Sequence, residues 1–411
     1  MQQNLEFLCT KHVKKLFEDI RILDFTNNAA GPVCTSMFAS FGADVIKVER
    51  PVTGDDIRGF APRLDGQALN FLFYNRGKRS ITVDLTDPAG VEMVKRIVPT
   101  ADVIVESFRP GVMKKFGLDY ASILELNPQV VYCSVSAFGQ TGPWAGKPGY
   151  DLIAQALCGV MDMTGEPDEP PQKSGFILGD YMGAMNAFGA ISAALYYKSV
   201  TGIGQYIDVA LLDGMVAMNN FVELAAIGVD QHRIGAHHSA ICPYGVYNGK
   251  NGQAVAICAP NNKLWSKVCT VMGQPELTED PRFCSGEARI RNLKEVISVI
   301  EGWLKRFDNI NDAISLLDRA GIPVAKVQSA MDLLTDEQLL ARAMIVDMEM
   351  PPNMPTYKHI KSRGMWLKFS KTPAEIRRAP ELGEHNREVL PEFGYTAEEI
   401  DALQNKWWNR H

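Results

Sequence analysis

The first two hundred residues alternate short apolar runs with longer stretches of helical period. Arg21-Ile22-Leu23-Asp24-Phe25 is one such run, closed by the turn Asn27-Asn28-Ala29-Ala30-Gly31-Pro32. A helical stretch to Ser40 follows, and then Asp44-Val45-Ile46-Lys47-Val48-Glu49. Strand, turn, helix and strand make a βαβ unit. The rhythm continues through residues 80–85, a helix after Asp87-Pro88, residues 102–106, another short helix and residues 130–135. Four to five strands alternating with helices predict an α/β fold, a parallel Rossmann-like sheet with helices on both faces. Ligands of such sheets bind outside the carboxyl ends of the strands, where the loops at residues 27–34, 50–58 and 107–115 fall.

Residues 174–198 break the pattern. A short apolar run stops at Gly179, Asp180 follows, and seventeen uncharged residues rich in Ala and Gly run on to Lys198. With no charged face, this reads as a central, buried helix with an acid at its mouth. A strand at 206–211 and a long helix from 215 to 227 come next, before a loop-rich stretch at 232–252. Beyond it, a strand at 254–259, helices near 263–272, 292–307 and 311–320, and the segment 323–327 predict a smaller α+β domain. The predicted limits are a large domain over 1–228, the small one over 229–340, and a C-terminal segment, 341–411, returning to the large domain. Residues 1–20 read as a polar lead-in helix, 345–350 and 364–369 as the returning segments, and the chain after Pro380 as a polar tail.

Composition narrows the function classes. The 411 residues are 46% hydrophobic and 22% charged, as in ordinary globular chains. A net charge of −6 argues against nucleic acid or an anionic membrane as partner. The eight cysteines contain no Cys-x-x-Cys pair and the seven histidines no His-x-x-x-His, so no metal site or disulfide framework is expected. Charges occupy the N-terminal positions where a signal peptide needs apolar residues, and no run suffices to span a bilayer, so a soluble cytoplasmic protein is expected. No Gly-x-Gly-x-x-Gly follows a strand, and no Walker loop or Gly-x-Ser-x-Gly elbow occurs.

Asp180 carries the sharpest chemistry. At a helix N-terminus its carboxylate is expected to stay ionised, and a positioned carboxylate can attack an acyl group; the plainer reading is an N-cap. Arg50, Arg58, Arg76, Lys78, Arg79, Lys114 and Lys115 cluster near the strand ends, where they could hold phosphates or simply be solvated charge. The turn-dense stretch 142–151, with Trp144 and Lys147, reads as a binding loop that ends on Tyr150 and Asp151 at the start of a helix, which Asp151 would cap. His237 and His238, after Gly235, suit a substrate contact or a turn better than a metal.

Taken together, the segments Leu23-Asp24-Phe25-Thr26 with Ala30-Gly31-Pro32, residues 42–49, Asn75-Arg76-Gly77-Lys78-Arg79-Ser80, Gly149-Tyr150-Asp151, residues 201–205 and Leu382-Gly383-Glu384-His385 resemble the family III (CaiB/BaiF-type) CoA-transferases over nearly the whole chain. The resemblance implies that Asp180 is the nucleophile, passing through acyl anhydrides and an aspartyl-CoA thioester. It implies acyl-CoA and carboxylic acid substrates, no cofactor beyond CoA itself, and an interlocked homodimer. The family's CoA contacts fall on Asn28, Ala29, Ala30, Arg50, Val83, Thr86, Ser107, Phe108 and Lys115, with Lys147 from the binding loop added to that set. Phe60, Tyr150, Asp151 and His238 are the expected substrate neighbours. Ala29 stands where the formyl-CoA:oxalate enzymes have a glutamine, Phe60 where they have a tryptophan, and their glycine run is missing near residues 235–238; these departures point to a different acid.

Two alternatives remain. A related α-methylacyl-CoA racemase needs a histidine where this chain has Tyr150, and tyrosine is a poor proton acceptor at neutral pH. A non-catalytic CoA-binding protein would tolerate loss of Asp180 beyond the cost of a cap.

Overall fold

The computed structural model describes residues 14–410. Most of the proposed lead-in helix lies outside them, and residues 16–19 form a turn instead. Six strands make one sheet: β1 (Arg21–Phe25), β2 (Asp44–Glu49), β3 (Arg79–Thr82), β4 (Val103–Glu106), β5 (Val131–Ser136) and β6 (Tyr206–Ala210). All five pairings are parallel and the order is β3-β2-β1-β4-β5-β6. Helices cover it, so strands β1 to β5 are buried on both faces, with Ile22, Leu23, Val45, Ile46, Val103, Ile104 and Val105 fully enclosed, whereas the edge strand β6 is exposed at Tyr206 and Asp208. The strand order reverses beside β1, and the crevice at such a switch point is where α/β sheets bind ligands.

Helix α1 (Ala30–Ser40) follows β1 and is buried along its whole length. Next come α2 (Leu69–Tyr74), α3 (Pro88–Ile97), α4 (Asp151–Leu157) and α5 (Leu178–Thr201), the helix that carries Asp180. Only one stripe of α5 is buried, at Gly179, Gly183, Ala184, Ala187, Ile191 and Ala194. Tyr196 (73%) and Val200 (68%) are exposed, which corrects the expectation of a helix buried all round: among the described residues, none covers its uncharged outer face. The long helix expected at 215–227 is two short ones, α6 (Leu211–Ala217) and α7 (Phe221–Ala226). Between them the Asn219 side chain accepts a hydrogen bond from the Phe221 N–H, a local turn that competes with helix.

The chain divides into two compact units. One runs through Cys158 and takes in Ser174–Val222 and everything from Glu337; the other is Gly159–Lys173 with Glu223–Asp336. Residues 159–173, predicted in the large domain, thus group with the second unit. That unit holds an antiparallel sheet of β7 (Tyr244–Asn248), β8 (Ala254–Cys258) and β9 (Val324–Lys326). Against it pack α8 (Asn262–Met272), α9 (Leu293–Leu304) and α10 (Ile310–Arg319), around Trp265, Tyr247, Ile257, Ile300 and Leu317. Strand β7 falls within the stretch read as loop.

In the first unit, β10 (Ile345–Glu349) pairs antiparallel with β11 (His359–Arg363), and residues 364–369 form no strand. The polar tail is also corrected. It folds into short helical turns and α11 (Ala397–Trp408), opened by a capping box at Thr396 and Glu399. Its widely spaced apolar residues Val389, Leu390, Ile400 and Trp407 join the core under β1–β4, and the Trp407 indole donates to Asp87 Oδ2 at 2.9 Å.

Candidate active site

A cleft of about 610 Å³ opens at the carboxyl ends of β1 to β4. Asn28, Arg50, Val83, Thr86, Ser107, Phe108 and Lys147 of the expected CoA set line it, together with Tyr150 from the expected substrate neighbours. Arg109 and Asp84 line it as well; Arg109 falls within the strand-end loop 107–115, and Asp84 lies between the expected contacts Val83 and Thr86. The loops are pinned from below. Asn28, in the left-handed region at φ +67°, donates its N–H to Asp55 Oδ1 at 2.9 Å, and Asn27 N–H reaches Ser107 Oγ at 2.8 Å. Thr86 bonds Asp84 Oδ1 through both its N–H and its hydroxyl.

Several cations assigned to this edge are spent inside the protein. Arg58 forks onto Glu49 at 2.7 and 2.8 Å, Lys78 reaches Asp24 Oδ2 at 2.7 Å, and Arg79 binds Asp44 and Glu392. Buried Lys47 meets Asp55 at 3.0 Å. Burial alone would raise the Asp24 carboxyl, but Lys78 and Lys47 hold it well below the usual range. Of the lining cations, Arg50 bonds Asp56 and the Gly54 carbonyl, and the Lys147 ammonium lies 4.7 Å from the centre of the Trp144 ring. Lys114 and Lys115 are not on the wall, although Val112 and Phe116 of the same turn are.

Ala29 and Ala30 also lie off the cleft wall. They are buried at the start of α1, where Ala30 faces Gly183; a Cβ there would sit 3.6 Å from that of Ala30. Phe60 is exposed and off the cleft wall. His238 belongs to the second unit, where its Nδ1 accepts from the Ala240 N–H at 3.0 Å.

The cleft wall at Gly149 and Tyr150 leads directly into Asp151, the first residue of α4. Asp151 does not cap its own helix. Its Oδ1 accepts the Gly179 N–H at 2.7 Å, at the start of α5, and its Oδ2 accepts from Gln155 at 2.7 Å. Gly179 permits this approach, since a Cβ there would stand 3.2 Å from Asp151 Oδ1 and 3.0 Å from Met215 Sδ.

Asp180 is the third residue of α5, and the capping position belongs to Ile177, so the capping reading is corrected. Burial, followed by the Asp151 carboxylate facing the same helix end, pushes Asp180 up to about 7, against the lowering a helix N-terminus gives. Among the described residues none donates a hydrogen bond to it. Burial, Tyr181 and the Asp180 charge together push the Tyr74 hydroxyl up to about 12, so both tyrosines stand within the field of this carboxylate.

A family model described as CoA-transferase family III matches residues 17–386. The chain is 36% identical to a succinate–glutarate CoA-transferase of Agrobacterium fabrum, over 91% of this chain and 94% of that protein. It is 37% identical to a succinyl-CoA:mesaconate CoA-transferase of Haloarcula hispanica, over 92% and 96%. A crystal structure of a CaiB/BaiF family protein from Brucella suis superposes with a TM-score of 0.82 at 35% identity, covering 91% of this chain and 98% of that one. A sheet with its cleft at the switch point, an acid in the first turn of a long helix and similarity along nearly the whole length agree: the chain belongs to family III of the CoA-transferases.

Proposed function

We propose that this CoA-transferase moves CoA from an acyl-CoA to a free carboxylic acid with Asp180 as covalent carrier. The observation that supports it most is the isolation of that carboxylate: partly buried, raised to about 7 and without a donor among the described residues, it is costly to the fold and suited to chemistry. Ionised Asp180 attacks the thioester carbonyl, forming an anhydride and expelling CoA thiolate. The thiolate attacks the aspartyl carbonyl, leaving an aspartyl-CoA thioester and the free donor acid. The acceptor carboxylate then attacks that thioester, and the thiolate released resolves the second anhydride at the acceptor's carbonyl, restoring Asp180. Every step is substitution at a carboxyl carbon, so CoA enters as substrate and no further cofactor is required. The cleft would hold CoA, with Arg109 and Lys147 facing its phosphates.

The test is chemical trapping. With succinyl-CoA and hydroxylamine, the wild-type chain should acquire a hydroxamate at Asp180 by mass spectrometry, and Asp180→Ala should lose turnover by at least about a thousandfold. Full turnover in Asp180→Ala sinks the proposal. Deuterium uptake at the α-carbon without an acceptor acid would turn it toward a racemase. We also propose a homodimer, interlocked as the family resemblance implies, supported by the bare apolar face of α5.

A further inference from the structure

Three acids stand in the wall of the cleft: Glu49, Asp56 and Asp84. That is a poor lining for CoA, whose phosphates are anionic, and each acid is met by an arginine. Arg58 forks onto Glu49 and Arg50 bonds Asp56, both from the loop after β2. Asp84 is met instead from the C-terminal segment: Arg410, two residues past the end of α11, brings its Nη1 to 3.2 Å from Asp84 Oδ2. Asp84 is 3% exposed, and its Oδ1 accepts the Thr86 N–H and hydroxyl at 2.9 and 2.6 Å, so the carboxylate is fixed in the wall. Arg410 is half exposed and does not line the cleft itself.

The approach of Arg410 is prepared by its own helix. Gln404, Trp407 and Arg410 recur at three-residue spacing and so share one side of it. Gln404 donates to the Thr82 carbonyl at 3.0 Å, and the Trp407 indole to Asp87 Oδ2 at 2.9 Å, where the Lys406 ammonium also pairs. These contacts grip the end of β3 and the loop beyond it and carry the guanidinium to Asp84. Without that guanidinium, a carboxylate fixed in the wall would repel every phosphate brought into the cleft. We propose that Arg410 is a positioning residue for the CoA substrate: by neutralising Asp84 without reaching the cleft, it lets the C-terminal segment set how tightly CoA is held. This rests on the reading that the cleft takes CoA.

Calorimetry with free CoA reads binding without turnover and so stands apart from the chemistry of Asp180. Arg410→Gln keeps a donor and removes the charge; it should weaken CoA binding about tenfold in the otherwise wild-type chain, but less than about twofold when Asp84→Asn is already present. Arg410→Lys keeps the charge and should stay within about threefold of wild type. Wild-type affinity in Arg410→Gln overturns the inference. So does an equal loss with and without Asp84→Asn, which would mean that Arg410 only braces the loop or meets CoA directly. Should Arg410→Gln fail to fold, Arg410→Met takes its place under the same comparison. If the wild-type chain binds no CoA, the cleft reading fails and this inference with it; if CoA binds but Asp180→Ala turns over fully, the covalent reading fails alone and the Arg410 comparison still decides.

Discussion

Asp151 serves Asp180 in two opposed ways. It anchors the first turn of α5 by accepting the Gly179 N–H, and its charge disfavours a second negative charge at Asp180. With Asp180 in its proposed role, a carboxyl raised to about 7 is mostly protonated in mild acid, so kcat/KM should climb with pH and level off above about 7. Asp151→Asn keeps an acceptor for Gly179 while removing the charge; the rise should shift to lower pH, as pH–rate profiles of both proteins would reveal. A profile unmoved by the substitution would remove Asp151 from the account. Asp180 drew notice in the sequence as a lone acid between an apolar run and a chargeless helix, where a plain N-cap was the competing reading. Asp84 and Arg410 were not read as a pair, because 326 residues separate them and only the closed fold brings them together.

Among the elements, α5 shows where small residues are required. A Cβ on Gly183 would lie 2.3 Å from Leu211 Cδ2, whose side chain is itself buried, whereas one on Gly302, in the exposed part of α9, meets nothing within 4 Å. Gly183→Ala should therefore cost about 1–3 kcal/mol through overpacking, while Gly302→Ala should gain up to about 1 kcal/mol from helix propensity. Denaturant midpoints would measure both, and equal shifts would contradict the packing described. The same contrast explains which elements the sequence disclosed. Buried parallel strands are short unbroken apolar runs, and these were placed within a few residues. Strand β7 escaped because Pro243, Gly245 and Gly249 crowd its flanks and interior, and α11 because its buried Ile400 and Trp407 are diluted among charges.

For the whole molecule, the bare face of α5 bears on assembly. Tyr196, Tyr197, Val200 and Ile203, all exposed, crowd the end of that helix and the turn beyond it, and a cluster of exposed large apolar side chains suits an interface. Sedimentation equilibrium should return twice the chain mass of 45.4 kDa, and a single-chain mass at micromolar concentration would count against the dimer. The discontinuity of the first unit was read in part: the C-terminal segment was expected to return to it, whereas the departure of residues 159–173 to the second unit depends on distant segments meeting. That discontinuity bears on synthesis. Val389, Leu390 and Trp407 complete the core beneath strands made more than 250 residues earlier, while the core of the second unit draws only on residues 242–322. A chain emerging from the ribosome can therefore close its inner unit first, and the sheet that frames the cleft must wait, its lower face open to chaperones, until the stretch beyond residue 386 has cleared the exit tunnel.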